Sequence, residues 1–190
     1  MILLMLLGLA APPWQGNGLT DALSLARTRD QALYDAFNAG YRLAASGDVD
    51  SVEIITEFRR AVLLARAHTD RGDYSFTAQN LATELAPFRG TVSVIATIRL
   101  NPLNTYIQPP SDDLYIRTGP ASPPLAPRDF KREPVYPPGF SRSGSAMSGV
   151  RLEATFSTAD IAAARDPYVT ITDDRGNQLW QGRLDLARYR

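Results

Sequence analysis

Cysteine is absent from this chain of 190 residues, histidine occurs once, at His68, and lysine once, at Lys131. Without cysteine there are no disulfides, no thiolate nucleophile and no thiolate metal site. A single histidine cannot assemble a multi-histidine metal set, and no Gly-x-Ser-x-Gly elbow accompanies it to make a serine–histidine–acid triad. Lys131 lies among prolines, where its amine stays hydrated and protonated, so it is a poor partner for a catalytic serine. No glycine-rich segment follows a strand and opens a helix, which leaves out phosphate-cradling loops, and GSAMSG at 144–149 precedes a strand instead.

Charge of one sign is lacking too. Lysine plus arginine equals aspartate plus glutamate at 20 each. No basic stripe stands out, so a nucleic-acid partner is not expected. The arginine excess over lysine is compositional and carries no functional signal. The chain also lacks an apolar run long enough to span a bilayer. Its longest, MILLMLLGLAA at residues 1–11, fits the apolar centre of a secretory leader, with Gly8-Leu9-Ala10 as a small-x-small cleavage pattern. No basic residue precedes it, and a buried N-terminal helix or strand is the alternative. We expect residues 1–18 to be leader and linker, and the protein to be periplasmic or secreted, with no stable membrane span after the leader is removed.

Beyond the leader, apolar residues recur at Leu19, Leu23, Ala26, Leu33, Phe37 and Ala44, the spacing of a helical face. The stronger part runs over 30–46 and ends at Gly47. Asp50-Ser51-Val52-Glu53 reads as a capping box that opens a second helix through Ile55, Phe58, Val62, Ala65 and Thr69. Gly72 ends it, and Asp73 is placed to cap a third helix through Phe76, Leu81 and Leu85. AHTDRGDYSF, at 67–76, is on this reading a helix–helix turn. His68 belongs to the last helical turn, where positive charge suits the dipole, and Arg71-Gly72-Asp73 serves as punctuation, not as an adhesion signal.

The period then changes to two. Val92, Val94, Ala96 and Ile98 alternate with polar residues, as do Val150, Leu152, Ala154 and Phe156. Further strands are predicted at 105–108 and 114–118, and a hairpin over 168–172 and 178–186 around Asp173-Asp174-Arg175-Gly176-Asn177. Residues 119–149 hold 7 of the 14 prolines and read as a long extended loop. The expected fold is α+β. About three helices (19–90) pack with an antiparallel β-sandwich (91–190), immunoglobulin-like or jelly-roll.

The stretch FSTADIAAARDPYVTITDDRGNQLWQGRLDL resembles the last strands of an immunoglobulin-like sandwich, within residues 150–187. The resemblance implies a tyrosine corner at Tyr168, its hydroxyl bonding back to the main chain. ALYDAFNAGYRLAASGD is faintly similar to the first helix of a tetratricopeptide hairpin, without a 34-residue repeat.

Paired carboxylates are the remaining chemistry. Asp112-Asp113 and Asp173-Asp174 fall in turns, where aspartate serves the backbone, and Glu53 with Glu57 falls on a predicted helix beside Arg59 and Arg60. Asp173, Asp174 and Asn177 make at most half a calcium loop. Tyr106 and Tyr115 are expected to pack on the sandwich. Tyr136, Pro137, Pro138 and Phe140 form an aromatic–proline surface suited to a protein partner, or else cover a sheet edge. We therefore expect an exported binding or structural protein of a bacterial envelope. It has no catalytic, cofactor or metal residues assigned, and its partner is another protein. The alternative is a carboxylate-based hydrolase acting on envelope polysaccharide.

Overall fold

The computed structural model describes residues 17–102, 106, 108–119, 122–137, 147–164 and 166–189. In chain order the elements are α1 (Asn17–Ala26), α2 (Gln31–Ala39), β1 (Arg42–Leu43), β2 (Val49–Ile55), α3 (Glu57–Asp70), α4 (Ala78–Leu85), β3 (Thr91–Arg99), β4 (Asp113–Arg117), β5 (Pro124–Leu125), β6 (Asp129–Val135), β7 (Gly149–Ser157), α5 (Thr158–Ala162), β8 (Tyr168–Thr172) and β9 (Gln178–Arg183). Single 3₁₀ turns follow α4 and β9. The leader and most of the linker expected at 1–18 lie outside the described residues.

The fold is α+β with two antiparallel sheets, ordered β1-β2-β3-β7-β6 and β5-β4-β8-β9. Setting aside the two-residue β1, these are the strand orders A-B-E-D and C′-C-F-G of an immunoglobulin-type sandwich. Side chains from both sheets, among them Val52, Val94, Leu152, Ile116, Ile171 and Trp180, share one hydrophobic cluster. The alternation along β3 and β7 supplies it, because successive residues of a strand point to opposite faces. Trp180 reaches this core by lying over Gly182, where any Cβ would collide with the indole ring. Its Nε1 donates to the Ala44 carbonyl at 3.1 Å and so ties the edge strand β9 to the β1–β2 turn.

A second cluster joins α1, α3 and α4 through Ala22, Ala26, Val62, Ala65, Leu81 and Leu85. It lies against the outer face of the five-stranded sheet. There Arg60 of α3 donates to Ser93 Oγ at 2.6 Å, and Ser93 in turn meets Thr155 Oγ1 at 2.8 Å. Arg59, one residue earlier and only 2% exposed, donates to the Ile54 carbonyl at 2.9 Å and to Glu53 Oε2 at 2.5 Å, fastening α3 to β2.

Several local expectations are corrected. The stretch 49–55 is a strand, not the start of a helix, so Asp50 and Glu53 make no capping box. Asp50 instead pairs with Arg99, and Glu53 with Arg59 and Arg42. Val52 and Ile54 keep the period of two, but Ile55 is buried as well and α3 begins at Glu57, so Val52, Ile55 and Phe58 fall at helical spacing across a strand–helix junction. The true cap of α3 is Thr56, which accepts from Arg59 N at 3.3 Å. α2 stops at Gly40, and residues 42–43 pair with 52–53, so the tetratricopeptide-like pair of helices does not form. Gly47 does take a left-handed φ of 66°, but in the β1–β2 turn, not after a helix. α4 is capped by Thr77 with Asn80, a genuine capping box, and not by Asp73.

Residues 119–149 are not wholly loop. β6 pairs with β7 over seven positions, Asp129↔Thr155 to Val135↔Gly149, and β5 pairs with β4. Pro134 sits within β6 because that strand is an edge, where a missing amide donor is tolerated. Half of the strand predicted at 105–108 lies outside the described residues, and Tyr106 and Gln108 are not in a strand.

Candidate functional site

Immunoglobulin-type sandwiches gather their connecting loops at two ends. At one end of this molecule the β1–β2 turn, the β3–β4 connection and the β8–β9 turn enclose a cleft of about 640 Å³. Its walls alternate in character. Ile98, Leu100, Pro102, Pro110 and Leu179 are apolar, while Asp48, Asp112, Asp173 and Asp174 are acidic and Arg99 and Arg175 basic.

Local chain geometry sets each charge. Asp173 closes the β8–β9 turn: its carboxylate accepts from Arg175 N at 2.9 Å, Asn177 N at 2.7 Å and Asn177 Nδ2 at 2.8 Å. Gly176 takes the left-handed φ of 81° that the turn demands. Those donors, the Asn177 side chain foremost, hold the Asp173 carboxyl below the ordinary carboxylate value. The turn reading of Asp173 is therefore confirmed. Because Asp173 and Asn177 satisfy each other, the half calcium loop is occupied by its own hydrogen bonds. Among the described residues no group of three or more histidine, aspartate or glutamate side chains gathers as a metal would need.

Asp112 and Asp113 part company. Asp113 opens β4 and turns outward to Arg132 of β6, Nη2 to Oδ1 at 2.6 Å. The same arginine spans back through Nε to the Asp112 carbonyl at 2.8 Å, fixing the backbone there. Asp112's side chain goes the other way, into the cleft, and the residue is only 5% exposed. Among the described residues no hydrogen-bond donor is placed on its carboxylate. Burial pushes its pKa up, and the nearby charges of Asp174 and then Asp173 push the same way, with Arg132 opposing. Arg99, at the rim, is already engaged by Asp50, Nε to Oδ1 at 3.0 Å.

The other sequence candidates are placed elsewhere. His68 has both ring nitrogens occupied, Nδ1 by Asp73 Oδ2 at 2.8 Å and Nε2 by Glu84 Oε1 at 3.2 Å, and it stacks on Phe76 at 3.7 Å between centroids. It clamps the end of α3 to α4. Gly72 has φ 78°, and Arg71-Gly72-Asp73 is the turn between those helices. Glu53 and Glu57 do not share a helix face: Glu53 is on β2, and Glu57, nearly buried on α3, accepts from Gly90 N at 3.2 Å.

Tyr168 opens β8 as the resemblance implies, but its hydroxyl donates to Asp166 Oδ2 at 2.9 Å and not to an upstream main-chain group. Tyr136 and Pro137 are half-buried, with Tyr136 packed against the sandwich core, and Pro138 and Phe140 lie outside the described residues. Tyr106 also packs on that core and lines the cleft. Sequence reasoning missed that Asp112 faces inward. The only signal was the adjacent pair of aspartates ahead of a strand, whose side chains must point to opposite faces. Compared with known proteins, the chain matches no family model and no curated relative, and the geometry of this cleft alone carries the functional reading.

Proposed function

We propose that the chain is a non-catalytic recognition module of the bacterial envelope, exported and engaging another protein through the cleft at the end of its sandwich. One observation carries this reading: Asp112, 5% exposed and with no donor on its carboxylate among the described residues, faces a cleft between the two connections that correspond to the B–C and F–G loops of an immunoglobulin sandwich. The loops at that end are where variable domains bind. This is an analogy of fold, and the placement of Asp112 gives it chemical content. The cleft volume of about 640 Å³ is within the range of ordinary ligand pockets, roughly 300–1,000 Å³. Export is supported by the apolar run at residues 1–11.

Two assays test the proposal. Fusing the full chain to a reporter active only outside the cytoplasm should give activity, and a silent fusion removes the export half. Screening the folded protein by NMR against envelope peptides and glycans should give saturable shifts at the cleft, with no new products in the same tubes. The rival reading, a carboxylate hydrolase, draws on the raised proton affinity of Asp112 beside Asp174. Release of reducing ends from an envelope polysaccharide, abolished in Asp112→Asn, would establish the hydrolase and sink the module.

A further inference from the structure

The occupant of the cleft can be narrowed by its chemistry, granted the recognition reading above. Four acidic and two basic side chains line it, and one of the two arginines, Arg99, is already paired with Asp50 outside the cleft lining. The remaining balance is negative. Asp112 is 5% exposed and receives no donor on its carboxylate among the described residues, so its carboxyl is poorly hydrated and has no protein partner there. A buried anion of this kind costs free energy unless a partner supplies positive charge or hydrogen bonds.

A divalent metal is the first candidate and fits poorly. Metal ions of the calcium type take six or more oxygens, and among the described residues no three acidic side chains are placed so that they could hold one ion. Asp173, one potential second ligand, has its oxygens engaged by Arg175 N and Asn177. An organic cation fits better, because the walls are mixed. Ile98, Leu100 and Leu179 offer an apolar channel for methylenes, and the carboxylate of Asp112 waits beside it. Arginine and lysine side chains have that make-up, an apolar stem and a charged tip.

We infer that the cleft receives an arginine or lysine side chain of a partner protein, its cationic head against Asp112 and Asp174 and its stem along the Leu100–Leu179 wall. The head replaces the missing donors of Asp112, and Asp174, exposed at the rim, sets the on-rate by attraction at longer range. Arginine is favoured over lysine because its planar fork can serve two carboxylates at once.

The test is an NMR titration of the full chain with a capped arginine-containing peptide, its citrulline counterpart, arginine amide, spermidine and calcium chloride. Saturable shifts at Asn101, Asp112, Asp174 and Arg175 are expected with the arginine peptide. Binding of the citrulline peptide should be weaker by at least about tenfold. Asp112→Asn should weaken the arginine peptide by a similar factor, while Asp113→Asn, whose side chain faces Arg132, should leave it unchanged. Retention of the native spectrum in both variants separates loss of binding from loss of fold. Equal binding of the citrulline peptide, or unchanged affinity in Asp112→Asn, overturns the inference. Displacement of the peptide by stoichiometric calcium overturns it in favour of a metal site. Arginine amide or spermidine binding as tightly as the peptide removes the protein partner and leaves a small-cation site. A neutral ligand in the cleft refutes only the cationic occupant, whereas turnover refutes the recognition module itself.

Discussion

Two acidic clusters in this molecule, each centred on an aspartate, behave in opposite ways. At the α3–α4 turn, Asp73 accepts from Ser75 Oγ at 2.8 Å and meets His68 at 2.8 Å, and those bonds hold its carboxyl below the ordinary value. At the sandwich end, Asp112 is buried with no donor among the described residues, and its carboxyl is pushed above that value. The first cluster is complete without a ligand. In the second, Asp112 has no protein donor on its carboxylate among the described residues, and the proposed binding role of the cleft rests on that difference.

The largest expected effect comes from breaking an ion pair where its cation is most buried. Arg59→Ala removes the donor to Ile54 O and the partner of Glu53 from a site that is 2% exposed. Loss of one member of a buried pair costs about 3–5 kcal/mol, and since Glu53 keeps some solvent contact the lower end is expected, read as a fall in urea-unfolding free energy. Gly182→Val comes next. Its Cβ would drive Trp180 out of the core and break the indole bond to Ala44, for a loss of about 2–3 kcal/mol and a blue-to-red shift of tryptophan emission on exposure.

Within the comparison itself, His68→Ala deletes a ring stack and two carboxylate contacts at the α3–α4 turn. A loss of about 1–2 kcal/mol is expected in thermal unfolding, with no change in peptide affinity at the cleft. If this variant instead abolished binding and left stability intact, the complete cluster would be the functional one and the contrast would collapse.

Residues 91–99 and 149–157 were legible because each has one buried face, and alternation survives translation into a strand. Residues 49–55 were not. Val52, Ile55 and Phe58 fall at helical spacing because Ile55 is buried as well as Ile54 and the strand runs straight into α3, whose cap is Thr56. β6 was hidden for a different reason: as an edge strand with polar faces and Pro134, it carries no hydrophobic alternation to read. The turn roles of Asp173 and Gly72 followed from residue chemistry alone, since both act on their own backbone neighbourhood. The cleft did not, because Asp48, Asp112 and Asp174 are brought together by sheet topology, and only long-range pairing places them at one end.

Asp112→Asn should give the smallest change in stability, and of the opposite sign to the others. A carboxyl whose pKa is raised on folding is protonated in both states at low pH, where it costs nothing. As pH climbs from its unfolded value near 3.8 through the raised folded value, the folded state holds the extra proton, so stability falls and then levels off. Burial foremost, then the charges of Asp174, Asp173 and Asp113, press in that direction, and Arg132 against it. Asp73 and Asp173 have the reverse slope, their stabilisation being lost as pH drops below the ordinary carboxylate value. Replacing Asp112 by asparagine removes only the falling limb. The variant should therefore melt at or slightly above the parent at pH 7, each 1 kcal/mol being about 2–4 °C for a chain of this size, and match it near pH 3. A variant that gains stability while losing its cationic ligand would place Asp112 among residues kept for binding at the expense of the fold. One that melts lower at pH 7 than at pH 3 relative to the parent would mean that the carboxylate already has a partner within the molecule, and the contrast between the two clusters would disappear.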